Sequence, residues 1–412
     1  MASAPAYRRA RDEIDVLSRA GFALPAFAAQ AIDALGRAVG FAASCLSTID
    51  PTTAMVAGAL KTGALAGRDD GDRDWAQIEY GRDDPTAYRA LLARGEVVAT
   101  AHAATSGVIE RSPRMSELMT PLFGFHDEAR VVLADRAGPW GGLALFRSAD
   151  DRPFTLAETG FLAALAPALT RGIRTGLLAG TARHDEAASV GPAVIVVDAR
   201  DRIVQCSDAA AAALQRLAAD SALGDPRISV QALVTAVRRV ARGDAERMPR
   251  LRMRRGDGVW LLLQAAPLAG EGRSGDVVVT IEHAHPQDVI DLVGAAYGLT
   301  AREGEVLRLV LQGADTRAIA GTMRVSPYTV QDHLKSIFAK VGVASRGELA
   351  SRVSFDQHLP RPMDPPASPP VPLATGDRFT ARSQFHGTKT PPASVAPYDA
   401  VTDGATRDHT PG

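Results

Sequence analysis

Polar side chains between Ser326 and Lys340 have the spacing of one helix face and could hydrogen-bond to nucleic acid. The buried side of that helix would be an apolar stripe of Val330, Leu334, Ile337 and Val341. The opposite side would present Tyr328, Thr329, Gln331, Asp332, Lys335, Ser336 and Lys340. Side chains of these types bind the base edges and phosphates of DNA. A plain packing module with a solvated polar face has the same pattern, and phosphate would repel Asp332.

Capping signals divide the surrounding sequence into four short helices. The residues that would begin them are Thr300, Asp315 or Thr316, Ser326, and Ser345. Glu303 and Glu348 complete two capping boxes, and Gly342 would end the third helix. Only a few residues join the second helix to the third. That is the geometry of a helix-turn-helix, whose second helix can enter the major groove.

Charge is concentrated in the same region. The whole chain carries 46 Lys and Arg against 47 Asp and Glu, a formal net charge of -1. Residues 299–355 hold eight basic and five acidic residues, a net charge of about +3, and two of the four Lys lie on the third helix. Any attraction to nucleic acid must therefore be local rather than a property of the whole chain.

Five stretches of this region closely resemble the LuxR-type helix-turn-helix family of transcription regulators. They read Leu299-Thr-Ala-Arg-Glu-Gly-Glu-Val-Leu307, Ile319-Ala320, Ser326-Pro-Tyr-Thr-Val-Gln-Asp-His-Leu-Lys-Ser-Ile-Phe338, Lys340-Val-Gly-Val343 and Ser345-Arg-Gly-Glu-Leu349. The resemblance implies a four-helix DNA-binding domain in which the third helix reads the DNA and the fourth is a dimer surface.

The resemblance also implies roles for individual residues. Gln331, Asp332 and Lys335 would face the bases. The phosphates would be held by Thr316, Arg317, Ser326, Thr329 and Lys340. Tyr328 completes the set of candidate DNA-binding residues. Other branches of the family carry different side chains at the positions of Gln331 and Asp332, so the resemblance does not give the DNA sequence that would be read.

Upstream of the helical region, strand pairs alternate with helices. The pattern predicts helices around 7–19 and 24–39, a hairpin over 41–60, a strand pair over 129–146, and a long helix begun by the Thr155 and Glu158 capping box. This part looks GAF-like. Residues 190–285 pair strands at both ends around short helices and look PAS-like. The predicted fold class is multidomain α+β plus all-α.

The predicted domain boundaries follow from these patterns. We expect a GAF-like sensor domain with N-terminal helices at 1–182, a PAS-like α+β domain at 190–285, and a LuxR-type helix-turn-helix DNA-binding domain at 294–356. Residues 359–412 hold about eleven of the 26 Pro and few large apolar residues. Such a segment cannot bury enough apolar surface to offset its ordering entropy, which predicts a Pro-rich disordered tail.

Composition and motifs exclude several classes of protein. No stretch approaches the roughly eighteen apolar residues of a membrane span, and the N-terminus lacks the apolar core of a secretory signal, so we expect a cytoplasmic protein without a membrane partner. The chain has neither a Gly-x-x-x-x-Gly-Lys-Ser/Thr loop nor a Gly-x-Ser-x-Gly elbow. Asp69 and Asp70 read as a solvated loop rather than a phosphoacceptor site.

The remaining reactive side chains do not combine into a catalytic or metal site. His283 and His285 have no third ligand nearby in sequence. Cys45 and Cys206 lie in apolar, strand-like runs, which predicts two buried free thiols in a reducing compartment. Trp75, Trp140 and Cys45 fit either a sensor pocket or an ordinary core. We expect no enzyme activity, no metal and no cofactor.

The sequence therefore predicts a sequence-specific DNA-binding transcription regulator controlled by its upstream sensor or association domains. Its partner would be double-stranded DNA, and it would be a homodimer through the helix at Arg346–Val353. RNA polymerase is left open as a further partner, and the small-molecule effector is unknown. The alternative is a ligand-binding or protein-interaction scaffold whose helical module does not bind DNA.

Overall fold

The computed structural model describes residues 4–179, 191–220, 225–244, 248–268 and 275–355. Within these ranges the chain forms two five-stranded antiparallel sheets with their helices, followed by a segment of helices only. This confirms the predicted combination of α+β and all-α regions. The tail predicted at 359–412 lies outside the described residues.

The first sheet is built from β1 (Ala43–Asp50), β2 (Met55–Gly63), β3 (Val98–Thr100), β4 (Phe125–Asp135) and β5 (Gly138–Ser148), in the order β2-β1-β5-β4-β3. Its helices are α1 (Ala4–Arg19), α2 (Leu24–Gly36), α3 (Asp72–Gly81), α4 (Tyr88–Arg94), α5 (Ala101–Ala104), α6 (Thr120–Phe123) and α7 (Leu156–Leu178). A 3-10 turn covers Ile109–Arg111 and a π-helical turn covers Arg114–Met119. We call residues 4–179 the first unit.

Alternation along β4 places helices on both faces of the first sheet. Val131 and Leu133 pack with apolar residues of α1, α2 and α7. Glu128 and Arg130 point to the opposite face, toward α3, α4 and the π-helical turn. On the first face α2 and α7 approach so closely that a Cβ atom on Gly172 would lie 2.0 Å from the Phe27 ring.

The second sheet is built from β6 (Ala193–Val197), β7 (Ile203–Cys206), β8 (Arg250–Arg254), β9 (Trp260–Pro267) and β10 (Val277–His283), in the order β7-β6-β10-β9-β8. Its helices are α8 (Asp208–Asp220) and α9 (Arg227–Ala241). Ser207 caps α8, since its Oγ accepts a hydrogen bond from Ala210 N at 3.2 Å. We call the described residues from 191 to 283 the second unit.

The two units share a buried ion pair. Arg252 of β8 donates from Nε to Asp50 Oδ2 at 2.8 Å and from Nη2 to Asp50 Oδ1 at 2.5 Å. The Asp50 side chain is 1% exposed and that of Arg252 is 9% exposed. A bidentate pair of this kind is strongly directional, so it fixes β8 of the second unit against the end of β1.

The third segment, which we call the helical segment, contains α10 (Pro286–Ala296), α11 (Ala301–Leu311), α12 (Thr316–Met323), α13 (Pro327–Val341) and α14 (Arg346–Phe355). Buried apolar residues of α10 contact both α7 and the following helices, so one apolar core runs from the first unit into the helical segment. Arg252 Nη1 also donates to the Asp288 carbonyl of α10.

The two cysteines are less buried than the sequence predicts. Cys206 was expected to be buried, but it lies on β7, an edge strand whose four residues are all exposed. Edge strands leave one side without a partner, and apolar alternation does not distinguish them from central strands. Cys45 is partly buried. Trp140 is buried in the core with α7, whereas Trp75 and Cys45 line a cavity.

Candidate DNA-binding surface

The start and end of α13 are fixed by local sequence. Ser326 Oγ accepts a hydrogen bond from Thr329 N at 3.1 Å, and Pro327 occupies the first helical position. Gly342 ends the helix in the left-handed conformation, with φ of 74°. Val330, Leu334, Ile337 and Val341 are all buried, as the apolar stripe predicted. Burial of this stripe sets which side of α13 faces solvent.

One carboxylate holds α13 against α11. Glu303 of α11 accepts hydrogen bonds from Ser336 Oγ and Lys340 Nζ, both at 2.6 Å. The same carboxylate accepts from Thr300 N, which completes the predicted capping box. Burial would raise the pKa of Glu303, but the hydrogen bonds from Lys340, Ser336 and Thr300 outweigh it and lower the pKa to about 2. The sequence indicated the capping box but not the contacts with α13.

The side of α13 opposite the buried stripe is polar and open to solvent. Tyr328 is 69% exposed, and the side chains of Lys335 and Asp332 are 73% and 51% exposed. Gln331 is exposed on the same side. Lys335 Nζ lies 3.7 Å from Asp332 Oδ1, an exposed pair one helical turn apart that is weak in water. We call Tyr328, Gln331, Asp332 and Lys335 the exposed face of α13.

The candidate phosphate ligands lie on α12 and α13. Thr316 and Arg317 begin α12, whose N-cap Asp315 accepts a hydrogen bond from Ala318 N at 2.8 Å. Ser326 and Thr329 lie at the start of α13. Thr316 and Arg317 thus lie on a helix that packs against α13, whereas Lys340 lies near the C-terminal end of α13 and contacts Glu303.

The turn between α12 and α13 is formed by a residue that the sequence analysis did not assign to the site. Arg324 adopts the left-handed conformation, with φ of 56°, and its amide bonds to the Gly321 carbonyl. Its side chain is exposed beside the start of α13. Non-glycine residues rarely adopt this conformation, and the short turn requires it here.

The helix α14, which was predicted to form the dimer interface, packs against its own chain. Leu349 and Val353 of α14 are fully buried, where they pack with the core shared by α10 and α11. Arg346 Nη2 donates to the Ala314 carbonyl before α12. The exposed residues of α14 include Gly347, Glu348 and Ser351. The surface of α14 that is open to a second chain is therefore polar and includes short side chains.

Among the described ranges, no three His, Cys, Asp or Glu side chains are grouped so that they could hold a metal ion. No helix within those ranges is long and apolar enough to cross a membrane.

Part of the helical segment matches a known protein family. Residues 298–353 match the family described as bacterial regulatory proteins, luxR family. The monoamine regulon transcriptional regulator of Klebsiella aerogenes is 46% identical over 54 residues, which are 13% of this chain and 24% of that protein. A protein of Aeromonas salmonicida named as an HTH-type transcriptional regulator is 34% identical over 86 residues, which are 21% of this chain and 43% of that protein.

The chain thus spans less than half the length of these two relatives. Among solved structures, a complex of Vibrio cholera VqmA with ligand and DNA is similar, with 20% sequence identity and a TM-score of 0.21. The similar region covers 42% of this chain and 86% of that one.

Proposed function

We propose, from the premise that residues 298–353 are a DNA-binding domain of the luxR family, that the whole chain is a sequence-specific transcription regulator. The observation that carries the proposal is the exposed face of α13. The apolar stripe of α13 is buried and Ser336 bonds to Glu303, so the exposed side chains of Tyr328, Gln331, Asp332 and Lys335 remain available to DNA. The family match favours this function over a scaffold without DNA contact.

In the proposed complex α13 lies in the major groove. Gln331, Asp332 and Lys335 contact base edges, with Tyr328 beside them. Thr316, Arg317, Ser326 and Thr329 hold phosphates around the groove, and Lys340 does so at the far end of α13 by sharing its ammonium group with Glu303. Two chains associate through α14 and place their α13 helices about one helical turn of DNA apart.

The first and second units act as sensor or association domains in this proposal, the first GAF-like and the second PAS-like. Support comes from their position, since the apolar core of the first unit continues through α10 into the helical segment. The chain has no catalytic role in this proposal, and RNA polymerase is a further partner only where the bound site overlaps a promoter.

Selection of bound duplexes from a random DNA pool, with the full chain as bait, tests the proposal. We expect enrichment of a sequence with two half-sites about 10 base pairs apart, centre to centre. A matched selection with the Gln331→Ala, Lys335→Ala double variant should lose the enriched sequence. Enrichment of no sequence by the unsubstituted chain at low salt would overturn the proposal.

A further inference from the structure

A cavity of about 40 Å³ lies between the first sheet and α3, α4 and the π-helical turn, with α9 of the second unit at its edge. Its floor is one row of the sheet, in which Lys61, Cys45, Ala144 and Arg130 are neighbours in register on β2, β1, β5 and β4. The two central side chains are small, so space remains above them. The two ends of the row are cationic.

Aromatic and flexible apolar side chains enclose this space. The rings that line it are those of Trp75, Tyr88, Phe123 and Phe146. Leu118 and Met119 of the π-helical turn complete the cover. Such walls suit a flat apolar molecule, whose faces can pack against rings.

The two cationic ends of the floor differ in how fully they are paired. Lys61 Nζ donates to the Arg68 carbonyl at 2.6 Å, to Asp69 at 3.0 Å and to Asp72 at 2.6 Å, which uses all three of its donors. Arg130 Nη1 donates to Glu79 at 2.7 Å. The Arg130 Nε atom is buried and has no hydrogen-bond partner among the described residues, and its side chain is 1% exposed.

The carboxylate of Glu128 lies beside Arg130 Nε and can accept a further hydrogen bond. Glu128 Oε2 accepts from Arg114 Nε at 2.9 Å, while Glu128 Oε1 lies 3.7 Å from Arg130 Nε, too far for a hydrogen bond. Both residues line the cavity. A buried donor left without a partner is unfavourable, so a molecule that satisfies it is favoured.

We propose that this cavity binds a small, uncharged aromatic molecule that carries an amide edge. The carbonyl oxygen accepts from Arg130 Nε, and the adjacent N–H donates to Glu128 Oε1. A carboxylate in that place is repelled by Glu128, and an amidinium or ammonium group is repelled by Arg130. Only a group with an acceptor next to a donor satisfies both side chains.

Entry of an aromatic ring requires the cover to move. A cavity that holds benzene measures about 150 Å³, which is larger than the space present here. Leu118, Met119 and Phe123 lie on the π-helical turn and α6, and the side chain of Met119 is flexible. Ile228 of α9 lines the same cavity, so binding also reaches the contact between the two units.

Isothermal titration of the full chain with benzamide, benzoate and benzamidine tests the site. The three compounds share one ring and differ in the charge and hydrogen-bonding groups of one substituent. We expect saturable binding of benzamide, with benzoate and benzamidine at least about tenfold weaker. Equal binding of the three, or no saturable binding of benzamide, would overturn the proposal whatever the chain does with DNA.

Two variants separate a binding site from a merely structural cluster. Ala144→Leu fills the floor without replacing a charged residue, so benzamide binding should be lost while the chain still unfolds cooperatively. Glu128→Gln keeps an acceptor for Arg114 and removes a negative charge, so the affinity for benzoate should rise relative to that for benzamide. Benzamide binding that survives Ala144→Leu, or an unchanged ratio in Glu128→Gln, would contradict the assignment.

Discussion

Lys335 is the most exposed charged residue on the exposed face of α13, and we expect it to contribute to sequence preference. Replacement of Lys335 by Ala should weaken binding to the selected DNA sequence by about 1–3 kcal/mol and relax preference at one position. Fluorescence anisotropy at fixed salt measures this. Arg19→Ala is the matched control, because Arg19 is similarly exposed, with 64% of its side chain accessible, and lies on α1. Equal affinities for Lys335→Ala and the control would remove Lys335 from the reading role.

Lys340 is predicted to contribute without sequence preference. Lys340→Met should lower affinity evenly across DNA sequences and reduce the slope of log affinity against log salt by about one. The melting temperature of the variant must be compared first, since Lys340 also contacts Glu303. A change in the order of preferred sequences would contradict a phosphate role.

Glu303 links the stability of the helical segment to pH. Its pKa is about 2 in the folded chain and 4.5 ordinarily, so its contribution is present above pH 4.5 and is lost as the pH falls toward 2. Glu303→Gln should lower stability at pH 7 by about 1 kcal/mol, because hydrogen bonds to a charged group are replaced by neutral ones.

Thermal unfolding followed between pH 2 and pH 7 tests this contribution. The difference in melting temperature between the unsubstituted chain and Glu303→Gln should shrink below pH 4.5. A constant difference across that range would show that the Glu303 charge does not stabilise the fold.

At the scale of elements, caps were the most reliable guide in the sequence. Thr155 begins α7 with both capping-box hydrogen bonds, and Thr300 begins α11 in the same way. Caps depend on residues three apart in sequence, so they can be read without knowledge of tertiary contacts.

Replacement of Thr155 by Ala should therefore cost about 1 kcal/mol of unfolding free energy. Thr155→Ser keeps the accepting oxygen and should cost less. Chemical denaturation followed by circular dichroism compares the two variants. If both lose the same stability, the methyl group of Thr155 rather than its cap is the source of the effect.

Elements that depend on distant partners were missed. β3 and β8 are short edge strands, and β8 carries Arg250, Arg252 and Arg254, which no apolar pattern reveals. The helix α3 begins in a run of Asp and Arg that reads as a loop. Polar patterns are ambiguous because charged residues suit exposed loops, exposed helices and paired buried sites alike.

In the candidate site too, features with a local sequence signal were predicted and contacts between distant residues were missed. The spacing of Val330, Leu334 and Ile337 predicted which side of α13 is buried. The pairing of Ser336 and Lys340 with Glu303 joins residues more than 30 positions apart, and nothing local signals it. The network that surrounds the fully buried Arg114, with Glu79, Asp84 and Glu128, was not predicted for the same reason.

At the scale of the whole molecule, Arg252 of the second unit bonds to Asp50 of the first unit and to the Asp288 carbonyl of the helical segment. Arg252→Ala leaves the buried carboxylate of Asp50 without its partner, which should cost about 3–5 kcal/mol. The double variant Asp50→Asn, Arg252→Met removes both charges and should recover part of that loss. Calorimetric unfolding of both proteins checks this, and equal stability of the two would show that the lost charge partner is not the cause.

The hydrogen bonds that Glu303 accepts from Ser336 and Lys340 also affect how fast α13 binds DNA. Two donors on one carboxylate prevent α13 from rolling about its axis, so its orientation is set when the chain folds. The encounter with a duplex then involves little loss of conformational entropy at the backbone. We expect association limited by diffusion and ionic strength, with affinity for different sequences expressed mainly in how long each complex lasts.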